Sequence, residues 1–178
     1  MSFDCQSYLD KVKKITKREP VLVIESGSVS VFELVDYPSG CTTLITYGIS
    51  EFLYTMWRGC KSGFELTLTV TDSKTMKWSK DLINTGNESI EVSQNGTRRP
   101  QIEYNGVFAP GYAPHLFFCE ELTQSPKLSG QQKVGDKYIR WLASIPISDA
   151  ELRIYDRSPL DLISELKKYN SLTNWETR

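Results

Sequence analysis

The sequence predicts a single α+β domain over residues 1–178, and three observations carry that prediction. An amphipathic helical stretch opens the chain, runs that alternate apolar and polar residues fill its middle, and two well-marked helix starts lie near its end. A chain of 178 residues suits one hydrophobic core, because single cores commonly occupy about 100–200 residues. Its 39% hydrophobic and 11% aromatic content, with Pro and Gly scattered along the chain, is the balance of a folding sequence.

In the first segment Tyr8, Leu9, Val12 and Ile15 recur at helical spacing among Lys11, Lys13, Lys14 and Lys17, which predicts a helix over about 4–18 that ends before Pro20. Its lysines form a solvated face. Strands are expected at Val21–Glu25, Val29–Val35 and Cys41–Tyr47, the last two joined into a hairpin by Tyr37-Pro38-Ser39-Gly40. Phe64 to Thr71 alternates without a break, so one face of that strand should meet the core and the other water. Met76, Leu82 and Ile83 predict a helix that Gly86 ends or interrupts. Short strands follow at Ile102–Phe108 and His115–Cys119, separated by Pro110-Gly111. The polar stretch Glu120–Lys137 reads as a loop, and Tyr138–Ile145 as a strand with Ile139, Trp141, Ala143 and Ile145 on one face.

The last third carries the strongest local signals. Ser148 followed by Glu151 makes a capping box that starts a helix at Asp149, and Ile147 and Leu152 are spaced for the hydrophobic staple. After Ser158, Pro159 suits the first helical position, Asp161 complements the helix dipole, and Leu162, Ile163, Leu166 and Tyr169 form an apolar stripe. Both helices should dock on the sheet.

Charge and motif content exclude several function classes. Lys plus Arg number 21 against 22 for Asp plus Glu, so no whole-molecule field steers the chain to nucleic acid or anionic lipid. Arg98-Arg99, Lys13, Lys14, Lys167 and Lys168 read as loop or solvated helix faces. Cys5, Cys41, Cys60 and Cys119 lie far apart without a Cys-x-x-Cys, which favours free thiols over a metal site. Without a membrane-length apolar run or a secretory signal, the expected location is the cytoplasm. The glycines assemble no phosphate-cradling loop, so no cofactor is expected. His115 is the single histidine; a catalytic role would need Cys41 or Cys60 within hydrogen-bond reach and an oxyanion hole, so a structural role is expected and the chain reads as a non-enzyme.

Three stretches carry a family resemblance: Thr43-Leu44-Ile45-Thr46-Tyr47-Gly48-Ile49-Ser50, Phe64-Glu65-Leu66-Thr67-Leu68, and the run from Tyr138 through Pro146-Ile147-Ser148-Asp149-Ala150-Glu151. In order and spacing they resemble the Suppressor-of-fused-like family over about Val21 to Tyr169, departing from its larger members between Met76 and Arg99. The resemblance implies a mixed, largely antiparallel sheet with packed helices, no catalytic activity, and function through protein binding. Single-domain bacterial members look like immunity proteins of polymorphic toxin systems, so the implied partner is a cognate toxin domain. Acidic residues that imitate phosphates toward a nuclease cleft would be Glu120, Glu121, Asp149 and Glu151, although Asp149 and Glu151 also suit helix capping. The alternative is a regulatory scaffold that holds a peptide at a sheet edge.

Overall fold

The computed structural model describes residues 3–71, 74–95, 105–109, 114–122 and 126–169. In chain order these form α1 (Phe3–Thr16), β1 (Val21–Ser26), β2 (Val29–Val35), β3 (Thr42–Tyr47), α2 (Ile49–Phe52), β4 (Tyr54–Trp57) and β5 (Cys60–Val70). There follow α3 (Thr75–Gln94), β6 (Val107–Phe108), β7 (His115–Cys119), a 3-10 turn (Pro126–Leu128), β8 (Gln131–Val134), β9 (Lys137–Ile147), α4 (Asp149–Arg157) and α5 (Pro159–Leu166). The strands join one sheet in the order β1-β2-β3-β5-β9-β7-β6, with β4 paired to β5 and β8 to β9. Only β5 and β9 run parallel among the described pairs. This is the mixed, largely antiparallel α+β architecture that the sequence predicts.

Strand alternation sorts the core onto the two faces of the sheet. On one face α3 packs Trp78, Leu82 and Ile83 against Val31, Leu44 and Leu68. On the other, α1 brings Tyr8, Leu9 and Val12 onto Phe32, Ile45 and Trp141. Beside α1 on that second face, Leu162, Ile163 and Leu166 of α5 cover Phe117, Ala143 and Ile145, with Leu152 and Ile154 of α4 at the margin. Ile139, Trp141, Ala143 and Ile145 therefore share one face of β9, as their spacing predicts.

The caps form as expected. Ser148 Oγ accepts from Glu151 N at 3.3 Å, and Glu151 Oε2 accepts from Ser148 N at 2.8 Å. Ile147 and Leu152 lie in the same apolar cluster, and Ser158 Oγ accepts from Asp161 N at 3.3 Å. The β2–β3 hairpin closes through Cys41 N donating to Pro38 O at 2.9 Å.

Three expectations need correction, and one strand was not foreseen. β5 has no wet face beyond Phe64: Glu65, Thr67 and Thr69 are buried, because the strand is central and helices cover both sides. Gly86 neither ends nor interrupts α3, which runs through it to Gln94. A Cβ there would stand 3.0 Å from Val29 Cγ2 and 3.1 Å from Ile49 Cδ1, so the glycine lets the helix approach the sheet. This tertiary contact overrides the intrinsic cost of a helical glycine, about 1 kcal/mol. The Glu120–Lys137 stretch includes β8, a polar edge strand without an alternating signal, and β4 was missed for its brevity. Of the strand expected at Ile102–Phe108, Val107 and Phe108 are paired, while residues 102–104 lie outside the described residues with Arg98, Arg99, Pro110 and Gly111.

Candidate functional site

The motif residues converge in space on one buried carboxylate. β3 delivers Thr46, the chain turns at Gly48, α2 starts with Ile49-Ser50, and β5 brings Glu65 alongside. Glu65 Oε1 accepts from Gly48 N at 3.0 Å, Ser50 N at 3.0 Å and Ser50 Oγ at 2.7 Å, while Oε2 accepts from Thr46 Oγ1 at 2.7 Å. Thr46 Oγ1 in turn accepts from Leu66 N at 2.8 Å. The network extends outward: Tyr8 OH donates to Thr46 O at 2.7 Å, and Trp141 Nε1 donates to Tyr8 OH at 2.9 Å. One polar chain thus ties α1, β3, α2, β5 and β9.

Gly48 makes the turn possible. Its φ is +116°, and a Cβ there would stand 2.0 Å from Ser28 O, so only glycine fits. Burial pushes the Glu65 carboxyl above its ordinary value, and the hydrogen bonds from Thr46, Ser50 and Gly48 pull back against that. Burial likewise pushes the Tyr8 phenol well up. Four donors meet the Glu65 carboxylate, three on Oε1 and one on Oε2. Chemically it is a sealed structural acceptor, out of reach of a substrate.

The acidic residues singled out from the sequence are not gathered into one patch. Glu120 follows β7 and faces Arg140 Nη1 at 3.6 Å, and Glu121 pairs with Lys167 Nζ at 3.4 Å. Asp149 lies at the other end of β7, about 13 Å away at roughly 3.3 Å per strand residue. There Asp149 Oδ1 meets His115 Nε2 at 2.8 Å. Glu151 is 6% exposed and its carboxylate is taken up by the Ser148 cap, which assigns it to helix initiation. Each carboxylate already has a partner inside the molecule, and that local neutralisation dilutes the anionic field a nuclease cleft would recognise.

His115 is 3% exposed and opposes Ile147 at the end of β9. Cys60 opens β5, level with the start of β9, and so lies at the opposite end of the sheet. Cys41 precedes β3, three strand spacings from β7, or about 14 Å. The structure thus keeps both thiols out of reach of the imidazole. None of the four cysteines forms a disulfide. Among the described residues no group of three His, Cys, Asp or Glu could hold a metal ion, and no helix is long and apolar enough to cross a membrane.

A surface feature absent from the sequence reading is the arm formed by β4 and the start of β5. Arg58 (φ 51°) and Gly59 (φ 78°) make its turn, Tyr54 and Met56 stand exposed along it, Met56 at 65%, and Phe52 is exposed at its root, at the end of α2. Lys61 Nζ lies 4.5 Å from the Tyr54 ring centroid. Residues 52–63 contain Arg58 and Lys61 and no carboxylate. The arm is fixed at its root, because Ser50 is held by Glu65 and Glu51 is paired with Lys137. The alternation of Tyr54, Met56 and the Arg58-Gly59 turn was the available signal.

No family model matches the sequence, and no curated protein matches it. Solved structures do match in three dimensions. A chain of the Sufu–Fu complex crystal structure superposes with a TM-score of 0.60 at 13% identity, covering 92% of this chain and 84% of that one. The crystal structure of Drosophila Suppressor of Fused gives a TM-score of 0.59 at 13% identity, covering 97% of this chain and 48% of that one. The chain thus spans about half the length of the Drosophila protein. Superposition over nearly the whole chain establishes that this domain has the Suppressor-of-fused-like fold.

Proposed function

We propose that this domain works by holding another protein in a stoichiometric complex, without turnover or cofactor, and that the partner is a cognate polymorphic toxin which it neutralises in the cytoplasm as an immunity protein. The observation that carries the protein-binding reading is the fold likeness to a chain solved in a Sufu–Fu complex. The toxin assignment rests on the resemblance of the three stretches to the Suppressor-of-fused-like family, whose single-domain bacterial members look like immunity proteins. The β4–β5 arm supplies suitable chemistry: Phe52, Tyr54 and Met56 are the residue types enriched at interface centres, and they sit on a braced element.

The test is to look in the adjacent reading frames for a toxin domain and to titrate it with this chain, with the toxin's own activity as readout. Inhibition should end near a fixed molar ratio, and Met56→Ala or Tyr54→Ala should weaken it by accelerating dissociation. Full inhibition at substoichiometric amounts would overturn the binding mechanism in favour of enzymatic removal.

A further inference from the structure

β1 is the last strand of the sheet, with β2 on one side and no other described strand on the other. A terminal strand offers unpaired N–H and C=O groups, and proteins usually blunt such edges with charge, bulges or cover. Here Val21 and Leu22 are 49% and 46% exposed, on opposite faces of the strand. The register sets Val21 beside Glu33, on the face of Val31 and α3, and sets Leu22 beside Phe32, on the face covered by α1. Glu25 follows on the face of Leu22, opposite Ser30.

The charge on the two stretches that form this edge is of one sign. Residues 21–35 contain Glu25 and Glu33 with no Lys or Arg, and residues 82–95 contain Glu88 and Glu91, again with no cation. The two stretches are clamped together, since Asn87 Nδ2 donates to Ser26 O at 2.8 Å and Asn87 Oδ1 accepts from Ser28 N at 3.1 Å. None of these four carboxylates has an ion pair among the described residues. Of the cations just before the strand, Arg18 pairs with Asp36 at 2.9 Å and Lys13 with Glu19, while Lys17 lies four residues ahead of Val21.

We propose that the β1 edge is a docking surface for an extended basic segment of a partner protein, one that alternates apolar residues with Lys or Arg. The proposal rests on the protein-binding reading and adds the surface and the chemistry it recognises. The partner backbone pairs with β1, its apolar side chains lie against Val21 and Leu22, and its cations reach Glu33 on one face and Glu25 on the other. The bulge between Leu22 and Ile24 twists the edge and keeps the pairing short, which disfavours flat pairing with a second copy.

The experiment uses the full chain with two synthetic probes, a peptide alternating valine and lysine and its valine–glutamate counterpart, read by amide hydrogen exchange. The valine–lysine peptide should slow exchange within residues 21–26 by about tenfold while leaving residues 54–57 unchanged, and the effect should shrink as salt rises past about 0.3 M. In Glu25→Lys/Glu33→Lys, with Glu25 exposed and Glu33 half-buried and an intact fold checked by circular dichroism, the preference should reverse to the valine–glutamate peptide. Equal protection by both peptides, protection unaltered by the charge reversal, protection centred on residues 54–57, or none at millimolar peptide would each overturn the assignment. A toxin that is inhibited stoichiometrically while residues 21–26 stay unprotected would sink the edge and leave the binding reading standing.

Discussion

Glu65 and the Glu120–Glu121 pair are both carboxylates at strand level, yet their environments differ in kind. Glu65 is fully buried and accepts four hydrogen bonds from groups fixed by the turn at Gly48. Glu120 and Glu121 stand at the surface, each facing one long basic side chain at 3.4–3.6 Å. Removing the first strands several buried donors, each costing about 1–3 kcal/mol; removing the others exchanges weak pairs for water, typically under about 1 kcal/mol. The residues that carry the family resemblance therefore build the interior, and partner contacts have to be sought on the surface.

The largest expected effect that sharpens this contrast is Glu65→Ala, which should lose about 3–5 kcal/mol in urea unfolding through orphaned donors and a cavity. The same residue predicts a pH dependence. Its folded-state pKa is raised, so the folded form holds the proton more tightly. That contribution is fully present below the ordinary carboxylate range and is lost as pH rises through the raised value. Wild-type protein should accordingly lose stability across that window relative to Glu65→Gln, which has no proton to release.

Next in size is Gly48→Ala, where the positive φ and the 2.0 Å approach to Ser28 O act together. Thermal unfolding should report a loss of about 3 kcal/mol, and a near-neutral result would show that the turn can relax without glycine. Ser148→Ala tests an exposed-side counterpart: it removes the α4 cap and should cost about 0.5–2 kcal/mol, with partner binding retained. Smallest of all, charge reversal at Glu120 and Glu121 should leave the melting temperature nearly unchanged. If these residues touch the partner, reversal should slow association measured by stopped flow and alter its salt dependence.

The legible parts of the fold are those with local causes. Periodicity and turn residues located α1 and β1–β3, and the caps at Ser148 and Ser158 located α4 and α5. What escaped was set by distant contacts: the course of α3 through Gly86 depends on Val29 and Ile49, and the burial of the polar side of β5 depends on helices packed over both faces. Glu65 lay inside a recognised motif, yet its donors come from 15 to 19 residues away, so alternation alone made it a wet-face residue. The acidic surface candidates were chosen by adjacency in sequence, whereas the unpaired carboxylates Glu25, Glu33, Glu88 and Glu91 are brought to one edge by the Asn87 clamp.

The most direct measurement is a side-by-side urea titration of Glu65→Gln and the double variant Glu120→Gln/Glu121→Gln. The first should lose about 1–3 kcal/mol, because an amide presents donors where the network supplies donors, and the second should stay within about 0.5 kcal/mol of wild type. Equal stabilities for the two variants, or a Glu65→Gln protein as stable as wild type that no longer binds its partner, would contradict the structural assignment of the motif and make Glu65 a functional residue.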